Sequence, residues 1–148
     1  MFSQTAEYAL RAAVTLARQP DTALNAAELA RQTEVPGTYL FKVMAQLARA
    51  GLVSALRGKR GGYRLGRPPA QISILDVINA VDPLPRLRAC PLGRPEHLHR
   101  LCPLHQQLDD TYAQIEATLR ARPLADLVEN PLTTPVPVSL CAPLASPS

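Results

Sequence analysis

The stretch TYLFKVMAQLARAGLVSALRGKRGGYRL, residues 38–65, joins a short amphipathic helix, a break and a basic hairpin. Leu40, Val43, Met44 and Leu47 recur at spacings of three and four, so one helical face is apolar. The opposite face offers Tyr39, Lys42, Gln46 and Arg49. Gly51 stops the helix. Two strand-like runs, Leu52 to Leu56 and Tyr63 to Leu65, then bracket Arg57-Gly58-Lys59-Arg60-Gly61-Gly62, a turn with three cations. Upstream, Asn25 caps a helix running through Leu29 and Ala30 to Thr33, and Val35-Pro36-Gly37 turns the chain into the next helix. Two helices joined by a tight turn and followed by a basic hairpin predict a winged helix-turn-helix. Such a unit sets its second helix in the major groove, where Thr38, Tyr39 and Lys42 would meet bases and phosphates. Arg57, Lys59 and Arg60 of the wing would add cations to the same DNA contact.

Charge follows the same division. Residues 1–67 hold ten cations against four carboxylates, whereas the whole chain of 148 residues carries only +4. The basicity is therefore concentrated in the half that would touch DNA, and binding there should weaken steeply with salt. A composition that is 47% hydrophobic supports a buried core, and the absence of Trp makes that core aliphatic. No apolar run approaches the roughly 20 residues that cross a bilayer, and no signal-like pattern opens the chain, so a cytoplasmic protein is expected. Three cysteines in a reducing compartment do not suggest a disulfide framework.

Outward from the hairpin, the spacing predicts a first helix over about Gln4 to Arg18, with Ala6, Ala9, Leu10, Ala13, Val14 and Leu16 on its packing side. Ser73-Ile74-Leu75-Asp76 predicts a capping box opening a helix through Val77, Ile78 and Val81, closed by Asp82-Pro83. Leu84 to Leu101, with Pro85, Pro91, Gly93 and Pro95, reads as a loop. A long helix follows from Cys102-Pro103, carrying Leu104, Leu108, Tyr112, Ile115 and Leu119. A stripe of that length needs a partner, and pairing with the same helix of a second copy would make a two-fold homodimer suited to a pseudo-palindromic double-stranded DNA site. From Pro131 onward the five prolines and absent periodicity predict a disordered tail, in which Cys141 is incidental. The expected architecture is mainly α with a small β-hairpin wing: a DNA-binding domain over 1–83, a sensor loop over 84–102, a dimerisation helix and end segment over 103–130, and a tail over 131–148.

Four segments carry a family likeness: TAEYALRAAVTLA, LARQTEVPGTYLFKVMAQLARAGLVSALRGKRGGYRL, ISILDVINAVD and LADLVEN. Together they resemble the IscR and NsrR type of bacterial repressor, the BadM-like winged-helix family, from Met1 to about Asn130. The resemblance implies a dimer crossed through the long helices and bound to promoter DNA, with an arginine placed like Arg57 entering the minor groove. It also implies an iron-sulfur cluster, of the 2Fe-2S kind, that senses redox, iron or nitric oxide status. Cluster-binding members use three cysteines before the long helix and a fourth ligand that is not cysteine. Cys90 and Cys102 match the outer cysteines, while Glu96, beside His97, stands at the middle position. His105 matches the histidine ligand of IscR-like members, and Glu7 the carboxylate that NsrR-like members reach across the dimer.

The residues themselves leave alternatives open. Thiolates hold iron, and nitrogen ligands in place of two cysteines raise the potential of a two-iron cluster, as suits a sensor. Cys102 before Pro103 would be an N-cap, where the helix dipole favours an anionic sulfur, with His105 a turn further on. Arg86, Arg88, Arg94 and Arg100 add positive potential. The same arrangement serves a reversible Cys90–Cys102 thiol switch, and a cofactor-free repressor stays open beside it. No paired C-x-x-C supports zinc. His97 and His99 read as solvated, and Tyr63 as wing packing. Catalysis finds no phosphate cradle, nucleophile elbow or carboxylate pair, and no small-molecule substrate is expected. A winged helix that binds protein instead of DNA is the remaining reading of another class, separable by its shallow salt dependence.

Overall fold

The computed structural model describes residues 2–97 and 100–129. Helix α1, Gln4–Ala17, begins where Ser3 accepts from the Ala6 amide at 3.2 Å, and ends with Arg18 as its cap rather than inside it. Its buried side is almost wholly small: Ala6, Ala9, Ala12, Ala13 and Ala17 surround Leu16, while Leu10 and Val14 are only half-buried. Alanines bring neighbouring backbones close, so α1 becomes the central rod against which most of the other helices pack.

Helix α2, Ala26–Thr33, starts at the expected Asn25, whose side-chain oxygen accepts from the Glu28 amide at 2.8 Å. Glu34 closes it in the left-handed region, at φ 56°, and Val35 drops into the core. Helix α3, Gly37–Arg49, buries Leu40, Val43, Met44 and Leu47, the four apolar positions expected of it. Gly51, at φ 73°, turns the chain into strand β1, Val53–Leu56. That strand pairs antiparallel with β2, Gly62–Leu65, in the register Val53 to Leu65 through Leu56 to Gly62.

A third segment fixes the hairpin. Leu24 exchanges two backbone hydrogen bonds with Tyr63, at 2.9 and 2.8 Å, so the start of α2 is laced to the wing. Gly62 makes this approach feasible: at φ 147° it sits against the Leu24 carbonyl, where any Cβ would collide with backbone. Tyr63 packs against the core as expected.

A short 3-10 turn, Pro69–Gln71, leads to helix α4, Ile74–Val81. Its capping box is reciprocal: Ser73 accepts from the Asp76 amide at 3.1 Å, and Asp76 accepts from the Ser73 amide at 2.8 Å. Leu75, Val77 and Ile78 are buried, while Val81 is only partly so. The chain then runs irregularly through a second 3-10 turn, Pro95–His97, into helix α5, Pro103–Arg120, and helix α6, Leu124–Glu129. Leu124 returns to the centre, fully buried, its amide donating to the Ile72 carbonyl at 2.8 Å.

The expected stripe of α5 divides. Leu104, Leu108 and Ile115 are exposed, whereas Tyr112 and Leu119 are half-buried, and Asp109 is the buried residue of the helix. Helix α5 packs against α4. Among the described residues no helix is long and apolar enough to cross a membrane. The tail, with Cys141, lies outside the described residues, as do His99 and the side chain of His97.

Candidate nucleic-acid interface and thiol-imidazole site

Because the apolar positions of α3 are spent on the core, its outer face is fixed by the same periodicity. Thr38, Tyr39, Phe41, Lys42, Ala45 and Arg49 are exposed there. Gln46, expected on this face, is instead half-buried, and its side-chain oxygen is buried without a partner. Tyr39 is positioned from α1: its ring meets that of Tyr8 edge-on, with centroids 5.9 Å apart. The Arg11 guanidinium lies 5.9 Å from the Tyr8 ring centre and also donates to Glu7 at 3.1 Å and to the Thr33 carbonyl at 3.4 Å. A single arginine thus braces the start of α3 through an aromatic pair.

Arg57, Lys59 and Arg60 are exposed at the hairpin tip, as are Arg64 and Arg67 beyond it. The ion pairs of the described residues involve Arg11, Arg31, Arg86 and Arg122. Among the described residues the cations of the α3 face and the wing form no ion pair. All six residues expected to contact DNA are therefore on the surface, on two adjoining elements, with uncompensated positive charge.

The second site forms at the start of α5. Cys102 is its N-cap and Pro103 its first residue. One turn along, His105 places Nδ1 3.2 Å from the Cys102 sulfur. The Cys90 sulfur, buried and arriving from the loop, is 3.9 Å from the same nitrogen. A turn closed by the Gly93 amide on the Cys90 carbonyl, with Gly93 at φ 59°, bends the loop back there. Both cysteines are free thiols. Glu96, at the middle ligand position, and Arg100 line an open cleft with Cys102 and Gln106. Glu7 is not brought into this group, since its carboxylate is engaged by Arg11 on α1.

Two sulfurs and one imidazole nitrogen are a donor set suited to iron or another soft-to-borderline metal. They fit such a centre in part: among the described residues no three His, Cys, Asp or Glu side chains are already arranged to hold a metal ion. The sulfur and nitrogen instead touch each other directly.

A polar clamp beside this site escaped the sequence reading. Arg86 donates through two nitrogens to Asp109, at 2.8 and 2.7 Å, and through a third to Glu116 at 3.0 Å. The Leu87 amide also donates to Asp109, at 2.8 Å. Hydrogen bonds from Arg86 first, and from the Leu87 amide second, pull the Asp109 pKa down to about 2. Arg86 therefore ties the loop to α5 and does not add free positive potential to the thiol site. The available signal was Asp109 and Glu116, two turns apart on one face of a helix with an apolar stripe.

The model of the Rrf2 family, described as an iron-dependent transcriptional regulator, matches residues 2–130. An HTH-type transcriptional regulator of Aquifex aeolicus is 30% identical over 131 residues, covering 86% of this chain and 91% of that protein. Among solved structures, CymR, the global cysteine regulator of B. subtilis, superposes with a TM-score of 0.72 at 23% identity, covering 87% of this chain and 96% of that one. IscR of T. potens gives 0.71 at 24% identity, covering 87% and 86%.

Proposed function

This chain belongs to the Rrf2 family of transcriptional regulators, and from that premise we propose that it is a cytoplasmic, homodimeric repressor that binds a pseudo-palindromic promoter site and senses redox, iron or nitric oxide status. Its family and relatives are regulators rather than enzymes. The exposed α3 face and the unpaired wing cations support binding to double-stranded DNA. Thr38, Tyr39 and Lys42 meet the major groove, and Arg57, Lys59 and Arg60 the wing side. Leu104, Leu108 and Ile115, exposed on α5, are the surface that a second copy would cover.

The observation that carries the sensory reading is the meeting of Cys90, Cys102 and His105 at one nitrogen. Those three residues would hold a 2Fe-2S cluster, with Glu7 of a second subunit as the fourth ligand. When bound, such a cluster supplies reversible one-electron chemistry. The chain's own part is mechanical: Cys90 belongs to the loop, while Cys102 and His105 belong to the first turn of α5. A ligand held by both fastens the loop to the helix that joins the two subunits. A signal shifts DNA affinity only insofar as these residues bond differently in the two placements of the helices.

Purification without oxygen, a visible absorption spectrum, and iron and acid-labile sulfide assays test this reading. Bound iron and sulfide that both fall in Cys90→Ala and His105→Ala support it. A colourless protein, still colourless after reconstitution, removes the cluster. A second reading then stands on the same geometry: two free thiols flanking one imidazole, with Glu96 where a third cysteine would be, form a reversible Cys90–Cys102 disulfide switch.

A further inference from the structure

Phe41 is 69% exposed, more than any other large apolar side chain among the described residues. It stands in the second turn of α3, on the face that carries Thr38, Lys42, Ala45 and Arg49. Thr38 and Ala45, one turn to either side, are small and exposed, so neither covers the ring. It takes no part in the core, which Leu40, Val43, Met44 and Leu47 complete without it. Exposed apolar area of this size gives the isolated chain no burial energy.

The surroundings point to the occupant. Lys42 neighbours the ring on α3, Arg49 stands at the far end of the helix, and Arg57, Lys59 and Arg60 extend the cationic surface into the wing. That field attracts a polyanion. A phenyl ring neither donates nor accepts, and among the groups lining the major groove the thymine 5-methyl is the one apolar feature it matches. Burying ring against methyl leaves no polar group unpaired. We propose that Phe41 is a specificity-determining residue that reads the 5-methyl of a thymine in each half-site of the operator. The inference rests on the DNA-binding reading above and adds to it one base identity per half-site.

The experiment begins with selection of binding sites from a random duplex library by the full chain at fixed salt. Each thymine of the selected site is then replaced by deoxyuridine, which removes only the methyl group, and Kd is measured for the unchanged protein and for Phe41→Ala and Phe41→Leu. One position per half-site should weaken binding about fourfold on loss of its methyl, the effect of one buried methyl-sized group. Phe41→Ala should bind the thymine and deoxyuridine sites equally, and Phe41→Leu should regain part of the preference. An unchanged thermal midpoint would exclude misfolding. Tight binding with no methyl-sensitive position, or the same sensitivity in Phe41→Ala, overturns this proposal alone. Failure to enrich any DNA overturns the DNA-binding reading, and this proposal with it.

Discussion

The sulfur of Cys102 lies 3.2 Å from Nδ1 of His105, so the cap of α5 and a side chain in its first turn meet on one face of the helix start. The Cys90 sulfur, at 3.9 Å, makes that same nitrogen the crossing point of loop and helix. A cap cysteine that makes no side-chain hydrogen bond to the backbone contributes little to helix stability. Its sulfur is left to bond elsewhere, and it meets His105.

Cys102→Ala should therefore abolish the response to the signal while leaving the fold intact. Cys102 is only partly buried, and substitutions away from the core usually change stability by about 0.5 kcal/mol or less. The check is operator affinity with and without oxidant, iron chelator or nitric oxide donor, beside a thermal melt. A variant that still responds normally would remove Cys102 from the sensor.

Arg57→Ala should weaken operator binding without touching the sensor. Arg57 is exposed at the hairpin tip and paired with no carboxylate among the described residues. Losing one cation from the DNA contact should lower the slope of log K against log salt by about 1. A titration over several salt concentrations reads this directly. Undiminished affinity with an unchanged slope would place the wing away from DNA.

The Asp109 clamp predicts a pH dependence with a definite sign. Its pKa falls from 3.8 to about 2, so the folded chain binds its proton less readily than the unfolded one. The resulting stabilisation is fully present above about pH 4 and is lost as pH falls through 2. Asp109→Asn should remove that part of the acid transition and lower the thermal midpoint at neutral pH, because among the described residues Arg86 then keeps Glu116 alone as a charged partner. Circular dichroism across pH 2 to 5 compares the two proteins. Identical acid limbs would mean that the clamp carries no linkage.

What was legible in the sequence was local. Asn25 and the Ser73 to Asp76 box mark helix starts because a cap is a contact between residues three apart. The four buried positions of α3 followed from periodicity alone. Contacts over long separations left no such trace: the Leu24 to Tyr63 lacing, the Arg86 to Asp109 clamp and the return of Leu124 to the core each join distant segments. At the start of α5, Cys102 and His105 can be placed together from the sequence because they lie in one turn. Cys90 came through family resemblance, and Phe41 was passed over because an apolar letter on a helix reads as core until its face is known.

The division of the α5 stripe gives the last prediction. At about 100° per residue, Leu104, Ile115 and Leu108 gather at one edge of the stripe, and Tyr112 and Leu119 at the other. Asp109 and Glu116 lie beyond the second edge, on the side held by Arg86. The second edge therefore faces the chain's own loop and α4, and the first is left outward, with Leu104 66% and Leu108 45% exposed. In a two-fold dimer each substitution occurs twice, so Leu108→Glu sets two carboxylates into one apolar contact. The expected result is a monomer by sedimentation equilibrium at concentrations where the unchanged protein is a dimer, with retained helix content and weakened operator binding. Asp110→Ala, on an exposed position clear of the stripe, should leave the mass unchanged. A Leu108→Glu protein that stays dimeric would move the interface off this edge of α5.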